Sequence, residues 1–419
     1  MTKIFSALRQ IKKDKASSFL LTISLLIILS VVFGMNILDT QIISPLANKK
    51  APITKANEYE VFGFAPYWTI NKLDNVDYNV LTTLSYFGVP INSDGTLDKS
   101  NVGYQTFESD KATDVFNKAH SYGTRVVLTI TQMDNDSIKN LLDDKKAQEK
   151  AIKNSINLVD ARGIDGINVD FEYVGDPGNE YRKKFTSFVG KLKNELNNKI
   201  PGSKLSVSVY ASSVKLPKIY DIKGLSQNSD EIFMMAYDFA TSGSDTVIPT
   251  APLYGYKEGK YWYDVSTAVD DFLTQMPAKK LVLGLPWYGY NYPVSEPGIK
   301  VAKYQGYSYY YWYNRRRYLA QFLPTANAQT YQNAEDSITA EKEGWDDVGK
   351  VGWKAYQEDG IWRMIFLDDT KSLKLKYDFA KNKNLGGVGM WALGFDSGKT
   401  ELWSLLSDEF GLELAKAVN

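Results

Sequence analysis

The feature that most constrains the fold is a series of eight short apolar runs separated by longer stretches of helical character. The runs occupy about 330 residues and lie at Val61 to Phe64, Leu81 to Val89, Arg125 to Thr131, Gly166 to Glu172, Leu205 to Tyr210, Glu231 to Tyr237, Leu281 to Pro286 and Val388 to Leu393. Strands that alternate with helices form parallel sheets, and eight such repeats match the eightfold β/α barrel. We therefore predict an α/β protein with a (β/α)8 TIM barrel over residues 59–412, and an insertion at about 292–370 in the long gap before the eighth run.

The fourth run carries the polar residues that point most directly to chemistry. Residues 165–172 read Asp-Gly-Ile-Asn-Val-Asp-Phe-Glu, and in a strand Asn168, Asp170 and Glu172 share one face while apolar side chains occupy the other. Desolvated carboxylates are costly unless they are paired, hydrogen-bonded or protonated. A protonatable Glu beside a charged Asp is what acid catalysis requires. Asp165 does not fit this alternation, and we assign it a supporting role.

An edge strand with one solvated polar face is the alternative interpretation of this run. The run, however, follows a helical stretch from Ala147 to Arg162 that ends at Gly163, and a second helical stretch from about Tyr181 to Leu196 comes after it. A strand between helices belongs to a sheet covered on both faces, where a polar face looks into a barrel or a cleft.

Composition excludes several classes of function. The chain has 49 basic and 49 acidic residues and no long basic run outside its N-terminus, so we expect no nucleic-acid partner. With no cysteine and a single histidine, His120, the chain lacks Cys-His dyads and the ligands of most zinc sites. His120 lies near the end of a predicted helix, where a capping role is expected. Carboxylates and tyrosines remain as catalytic groups, and we predict no metal or organic cofactor.

The N-terminal region resembles a membrane anchor. An apolar run at residues 19–38 has about the length that crosses a bilayer. The basic residues before it are Lys3, Arg9, Lys12, Lys13 and Lys15. The positive-inside rule then predicts a cytoplasmic segment at 1–18, a transmembrane signal anchor at 19–38, a linker at 39–58 and an extracytoplasmic remainder. A cleaved signal peptide and secretion remain the alternative.

An aromatic segment falls inside the predicted insertion. Between Lys303 and Tyr318 the sequence contains six tyrosines before Tyr318 and one tryptophan, Trp312. A hydrophobic strand and a sugar-stacking wall both account for this pattern, and the sequence leaves the two alternatives open.

These residues resemble the family-18 glycoside hydrolases, the group of chitinases and related N-acetylglucosaminidases, whose fourth strand carries Asp-Gly-x-Asp-x-Asp-x-Glu. The matching residues are Asp165, Gly166, Asp170 and Glu172. Asn168 replaces the middle acid, a departure that resembles the spore-germination and peptidoglycan-directed branch of the family.

Other strands carry the resemblance in the same order. The sixth-strand Met-x-Tyr-Asp is similar to Met235 to Asp238, the seventh-strand Gly-x-Pro-x-Tyr-Gly to Gly284 to Gly289, and the eighth-strand Gly-Gly-x-x-x-Trp to Gly386 to Trp391. On the first strand, Phe64 and Trp68 stand where the family has aromatic wall residues. The resemblance covers about residues 59–405.

The resemblance implies a retaining mechanism in which the acetamido oxygen of the substrate is the nucleophile. Glu172 would be the acid and base, Asp170 would orient the acetamido group and Tyr237 would donate its hydroxyl to it. Asn168 and Asp238 would connect this network, although a role as a loop brace is equally open for Asp238. The residues expected to contact the sugar are Trp391, Phe64, Trp68, Trp287, Tyr288 and Met235.

The function predicted from these features is a membrane-anchored hydrolase of β-linked N-acetylhexosamine glycans, either peptidoglycan or chitin-like polymers. A non-catalytic, lectin-like glycan-binding protein is the main alternative, and retention of Glu172 argues against it. A scaffold that presents its loops to a protein partner is a third interpretation. The oligomeric state is left open.

Overall fold

A closed barrel of eight parallel strands forms the body of the protein in the computed structural model, which describes residues 58–411. The strands of this part are β1 (Glu60–Pro66), β2 (Thr83–Pro90), β3 (Arg125–Gln132), β4 (Gly166–Phe171), β5 (Lys204–Tyr210), β6 (Glu231–Met235), β7 (Thr246–Val247), β8 (Leu281–Pro286), β9 (Tyr288–Val294), β10 (Val301–Ala302), β11 (Tyr307–Tyr313), β12 (Arg316–Phe322), β13 (Asn327–Thr330), β14 (Lys342–Asp346), β15 (Val351–Glu358), β16 (Ile361–Leu367) and β17 (Gly387–Trp391). The barrel closes in the order β1-β2-β3-β4-β5-β6-β8-β17, and β17 pairs with β1. The predicted barrel is confirmed, and each of the eight apolar runs contributes one of its strands.

Helices follow most of the barrel strands along the chain. They are α1 (Val102–Phe107), α2 (Asp110–Ser121), α3 (Asn135–Asp143), α4 (Lys145–Arg162), α5 (Asn179–Lys199), α6 (Ile222–Asn228), α7 (Val265–Leu273), α8 (Tyr331–Ser337), α9 (Thr370–Asn382) and α10 (Glu401–Phe410). Helix α4 shows how local sequence sets the ends. The Asp144 carboxylate accepts a hydrogen bond from the Lys146 backbone amide, and Gly163 ends the helix in the left-handed conformation with φ 62°. The predicted helix end at Gly163 is confirmed.

The alternation of side chains along each strand divides the core into two layers. A small cluster that includes Phe62, Phe64, Phe233 and Val282 fills the barrel interior. A larger cluster, which extends from Val61 to Phe410, lies between the strands and the helices. Burying one large apolar side chain contributes about 2 kcal/mol, so these layers supply most of the driving force for closing the barrel. They also leave the C-terminal ends of the strands available for polar residues.

The insertion between β8 and β17 is a small antiparallel domain. Its five-stranded sheet has the order β13-β9-β16-β15-β14, and the hairpin β11-β12 forms a separate two-stranded sheet. The insertion begins with β9 directly after the seventh barrel strand, slightly before the predicted residue 292, and ends with β16 at Leu367. Strands β9 and β16 pair with one another, so the two ends of the insertion leave the barrel side by side.

A cluster of buried charges lies at the N-terminal ends of the barrel strands. The Lys204 ammonium is paired with the carboxylates of both Glu60 and Glu231, and Arg125 lies 3.7 Å from Glu60. Burial alone would raise the pKa of Glu60, but Lys204 and Arg125 lower it to about 2. Burial raises the pKa of Glu231 to about 7 despite the attraction of Lys204. The single ammonium group of Lys204 is shared by two carboxylates. It offsets the cost of burying the charge of Glu231 less completely than that of Glu60.

The predicted membrane anchor falls outside the part of the chain that the structure describes. The segment at 1–18, the anchor at 19–38 and the linker up to residue 57 all precede Glu58, the first described residue. Between residues 58 and 411, none of the helices has the length and apolar character needed to span a bilayer.

Candidate active site

The polar face of β4 opens at the C-terminal end of the barrel, as the alternation predicts. Asn168 and Asp170 lie within the strand and are almost completely buried, with 0% and 3% of their surface exposed. Glu172 follows the last strand residue, and its backbone amide donates to the Gln132 carbonyl oxygen at 2.9 Å. This bond continues the pairing with β3 and therefore fixes Glu172 at the rim of the barrel.

Asn168 is held by two serines of β5. Its side-chain amide donates to Ser208 Oγ at 3.0 Å, and its carbonyl oxygen accepts from Ser206 Oγ at 2.8 Å. An amide can both donate and accept, whereas an ionised carboxylate can only accept. The neutral residue at this position therefore satisfies its buried hydrogen-bonding groups without adding a third charge beside Asp170.

Asp170 has an unused hydrogen-bond acceptor inside the protein. Its Oδ1 atom is buried and has no hydrogen-bond partner among the described residues. Burial raises the pKa of Asp170 well above its ordinary value, and the neighbouring charge of Glu172 raises it further. A buried acceptor without a partner is costly in the free protein, and a ligand that donates a hydrogen bond to it removes that cost.

Glu172 is arranged to carry a proton. Burial raises the pKa of its carboxyl group, and the charge of Asp238 adds to this effect. The Tyr210 hydroxyl donates a hydrogen bond to Glu172 Oε2, which acts in the opposite direction. The ammonium of Lys218 lies 4.0 Å from the centre of the Tyr210 ring and also favours the carboxylate form of Glu172. A buried carboxyl group whose pKa is raised can act as an acid in one step and as a base in the next.

Tyr237 and Asp238 follow β6 at the same rim. Burial and the charges of Asp170 and Asp238 raise the pKa of Tyr237 well above its ordinary value, so its hydroxyl remains a hydrogen-bond donor. Asp238 has a left-handed backbone with φ 58°. Its carboxylate accepts hydrogen bonds from Tyr288 and, at 3.0 Å, from Tyr290. Although Asp238 is accessible to solvent, the surrounding protein raises its pKa, and the two tyrosines oppose that change.

An aromatic surface lies beside these polar groups. The ring of Trp391, the last residue of β17, is 4.8 Å from Phe87 and 5.4 Å from Phe64, measured between ring centres. Trp68 lies 6.3 Å from Trp391 and has 51% of its surface exposed. Trp391 is therefore supported from below by packed rings, while Trp68 presents its ring to solvent.

Two of the predicted sugar contacts, Trp287 and Phe64, are buried in the core. Trp287 is fully buried, and its ring lies 5.1 Å from Trp403 of α10. Phe64 is 1% exposed and points into the barrel, where it packs beneath Trp391. Both side chains are buried in the described structure, and their contact with a sugar stays a prediction. Met235 and Tyr288 retain 7% and 6% of their surface, and their contact with a sugar stays a prediction.

Asp165 lies at the opposite end of β4 from the catalytic candidates. Its Oδ2 atom accepts from the Val126 backbone amide at 2.8 Å and lies 2.7 Å from His120 Nε2. Its supporting role is therefore to join α2 to the start of β3 and β4, and not to assist Glu172. The same contact ties His120, in the last turn of α2, to the start of β4, and the predicted capping role of His120 stays a prediction.

Tyr210, Ser206 and Ser208 belong to the site but were not among the predicted residues. They share one face of β5, whose sequence Lys-Leu-Ser-Val-Ser-Val-Tyr alternates polar and apolar side chains as β4 does. The signal was present in the sequence. What the sequence lacks is the register between the two strands, in which Asn168 lies opposite Ser206.

The carboxylates of the site are suited to proton transfer rather than to holding a cation. Ligands of a metal must be deprotonated, and burial raises the pKa values of Asp170 and Glu172. Between residues 58 and 411, no three His, Asp or Glu side chains are grouped in a way that could hold a metal ion.

Known proteins share both sequence and fold with this chain. A family model described as glycosyl hydrolases family 18 matches residues 60–396. The di-N-acetylchitobiase of Mus musculus is 25% identical over 284 residues, which are 65% of this chain and 71% of the mouse protein. A chitinase from Cycas revoluta in complex with (GlcNAc)3 has a TM-score of 0.68 at 22% identity, over 84% of this chain and 99% of the chitinase. The spore cortex-lytic enzyme SleL of Bacillus cereus has a TM-score of 0.62 at 21% identity, over 84% of this chain and 74% of the SleL chain. The two solved structures have the same fold as this chain.

Proposed function

The chain belongs to family 18 of the glycosyl hydrolases and is a glycosidase of the chitinase type, and from this premise we propose that it cleaves β-linked N-acetylhexosamine glycans by a retaining, substrate-assisted mechanism. The observation that carries the proposal is the pairing of Glu172, whose pKa is raised, with Asp170, whose buried Oδ1 atom has no partner among the described residues. The proton donor matches the leaving glycosidic oxygen of an N-acetylated sugar. The unused acceptor matches the N–H of its acetamido group.

In the first step Glu172 donates its proton to the leaving glycosidic oxygen. The bond from that oxygen to the anomeric carbon breaks while the acetamido oxygen forms a bond to the same carbon, which gives an oxazolinium ion. Asp170 accepts a hydrogen bond from the acetamido N–H. Because positive charge develops on the acetamido group, the carboxylate form of Asp170 is increasingly favoured as the ion forms. Tyr237 donates its hydroxyl to the acetamido oxygen and holds it near the anomeric carbon.

In the second step the Glu172 carboxylate removes a proton from water. The water oxygen forms a bond to the anomeric carbon, and the acetamido oxygen leaves that carbon. Two displacements at one carbon retain its configuration, and Glu172 ends the cycle protonated. Trp391 forms an apolar floor under the sugar ring, and the exposed ring of Trp68 extends that surface.

The glycan that we propose is peptidoglycan or a chitin-like polymer. The name of the relative SleL, a spore cortex-lytic enzyme, and the neutral Asn168 support peptidoglycan. The chitobiase and the (GlcNAc)3 complex of the Cycas chitinase support chitin-like chains. We propose further that residues 19–38 anchor the enzyme with its barrel outside the cytoplasm, where a cell-wall glycan is accessible. Secretion after signal cleavage is the other route to the same location.

The proposal is tested by incubating the protein with purified peptidoglycan and with chitin oligomers, and by mass spectrometry of the products. We expect new reducing ends, and we expect Glu172→Gln to lower kcat by about 10³-fold or more while sugar binding is retained. Glu180→Gln, at an exposed position of α5, is the matched control and should be active.

Two outcomes would contradict the proposal. Equal cleavage of a deacetylated oligomer would show that the acetamido group is not the nucleophile. Binding of glycans by the unaltered protein without any cleavage would favour the lectin-like alternative.

Cleavage that persists after addition of a chelator is expected, because no step of the mechanism uses a metal ion.

A further inference from the structure

The insertion carries an aromatic hairpin, defined here as residues Tyr307–Phe322, which is exposed on both faces. All seven residues of β11 are exposed, and Trp312 and Tyr313 keep 72% and 63% of their surface. A monomeric protein seldom exposes so many large apolar side chains in one place unless they bind a partner.

One face of the aromatic hairpin is a ladder of rings. The rings of Tyr307 and Tyr309 lie 5.8 Å apart, those of Tyr309 and Tyr311 lie 6.4 Å apart, and Tyr311 stacks on Tyr318 of the opposite strand at 5.6 Å. These cross-strand contacts stabilise the hairpin, but an isolated pair of strands is only marginally stable in water. A partner that covers the rings would stabilise it further.

The other face is apolar at its centre and basic at its end. Register places Tyr310 opposite Leu319 and Trp312 opposite Arg317. The Arg317 guanidinium lies 3.9 Å from the centre of the Tyr310 ring. Because both faces carry apolar side chains, a linear partner lying on one face would leave the other uncovered.

The charge of this region is uniformly positive. Residues 297–334 contain five basic side chains and no Asp or Glu, although the whole chain is neutral. The basic residues are Lys300, Lys303, Arg315, Arg316 and Arg317. The three arginines occupy consecutive positions at the turn of the hairpin and the start of β12, so an anionic partner fits the end of the hairpin.

We propose that the aromatic hairpin docks into the interfacial region of an anionic lipid membrane. An interface surrounds the hairpin and covers both of its faces at once. Tyrosine and tryptophan have apolar rings with polar tips and are enriched at the level of lipid headgroups. Arginine forms paired hydrogen bonds with phosphate oxygens. A glycan stacked on the tyrosine ladder would use one face only and would leave the apolar side chains of the other face exposed.

The proposal does not depend on the hydrolase reaction or on the predicted anchor. If residues 19–38 span a bilayer, the aromatic hairpin provides a second, reversible contact with the same surface. The test must therefore detect the hairpin itself and not the attachment of the whole chain.

Hydrogen exchange of the full chain, reconstituted in lipid nanodiscs, makes that distinction. We expect the backbone amides of peptides that cover residues 307–322 to exchange more slowly in discs that contain phosphatidylglycerol than in discs of phosphatidylcholine alone. Each interfacial basic residue strengthens docking by roughly 5-fold, so the triple change Arg315→Gln, Arg316→Gln and Arg317→Gln should weaken it by about 100-fold and abolish the difference.

The control variant removes the same charge at three exposed lysines of α4. Lys145→Gln, Lys146→Gln and Lys153→Gln should keep the protection of the aromatic hairpin in anionic discs. Thermal unfolding of both variants establishes that the barrel is intact. Equal exchange in both kinds of disc would overturn the proposal, as would protection produced by soluble peptidoglycan fragments and not by anionic lipid, which would identify a glycan platform instead.

Discussion

At the scale of single residues, the protonation of Glu172 depends on a tyrosine that takes no part in the bond changes. The Tyr210 hydroxyl donates to the carboxylate form of Glu172 and so lowers its pKa, while burial and Asp238 raise it. The acid needed in the first step is the protonated form. Tyr210 is therefore a positioning residue whose hydrogen bond sets the pH at which that acid is lost.

We predict that Tyr210→Phe moves the alkaline limb of the pH profile of kcat/KM to higher pH. Without the hydroxyl, the carboxylate of Glu172 loses a hydrogen bond, its pKa rises and the protonated acid persists at higher pH. Initial rates on a soluble chitin oligomer across the pH range provide the measurement. Tyr356→Phe, which removes a hydroxyl that accepts from Asn291 in the insertion, is the matched control and should leave the limb in place. An unchanged or more acidic limb in the Tyr210 variant would refute the assignment.

The sequence predicted the polar face of the site better than its aromatic surface. Alternation along a strand is a local property, so it placed Asn168, Asp170 and Glu172 together without knowledge of the fold. The burial of Trp287 could not be predicted because this residue follows the last residue of β8, where the insertion decides the direction of the chain. Its ring turns towards Trp403, which is more than one hundred positions later in the sequence. A contact between residues so far apart in the sequence cannot be predicted from a local pattern of residues.

At the scale of elements, the insertion illustrates the same limit. A long gap in the series of apolar runs indicated that extra residues were present, but not that they form a five-stranded sheet. Strand β9 pairs with β13 and β16, and both partners lie tens of residues further along the chain. Antiparallel pairing over such separations depends on tertiary packing, and short strands have weak individual signals.

The junction between the insertion and α9 contains a buried ion pair. Lys376 and Asp368 are paired with side chains 0% and 1% exposed, and Ser372 donates a hydrogen bond to Asp368. Burial raises the pKa of Asp368 and lowers that of Lys376, and both changes favour the neutral form of each group. The pair connects the segment after β16 to the second turn of α9.

We predict that Lys376→Met lowers the free energy of unfolding by about 3 kcal/mol at pH 8 and by less at pH 5. Without the ammonium group the pKa of Asp368 rises further. The folded state then binds this proton more tightly than the unfolded state, so the stability of the variant falls as the pH rises. Denaturant unfolding at the two pH values measures the difference. The double variant with Asp368→Asn, which removes the buried charge, should recover much of the loss, and a loss independent of pH would contradict this account.

At the scale of the whole molecule, the charged cluster at the N-terminal end of the barrel couples stability to pH. The cluster joins β1, β3, β5 and β6, which are not all neighbours in the barrel. The pKa of Glu60 is lowered from 4.5 to about 2, so this group stabilises the fold as the pH rises through that range. The pKa of Glu231 is raised from 4.5 to about 7, so the folded state binds its proton more tightly and loses stability as the pH rises from 4.5 to 7.

We predict that Glu231→Gln flattens the dependence of stability on pH between 4.5 and 7. A glutamine has no proton to lose, and the decline of about 3 kcal/mol that the raised pKa of Glu231 implies should disappear. The free energy of unfolding at several pH values measures this slope. Glu343→Gln, at an exposed position of β14, should reproduce the slope of the unaltered protein. A slope in the Glu231 variant as steep as that of the unaltered protein would place its origin elsewhere.

The paired ends of the insertion have a consequence for how such a chain can diverge. Because β9 and β16 leave the barrel side by side, the residues between them form a contiguous segment that enters and exits at one point. None of Asp170, Glu172 and Tyr237 lies within that segment. Recombination could therefore exchange residues 291–367 between related genes as a single cassette, while Asp170, Glu172, Tyr237 and the two tyrosines that donate to Asp238 stay in place.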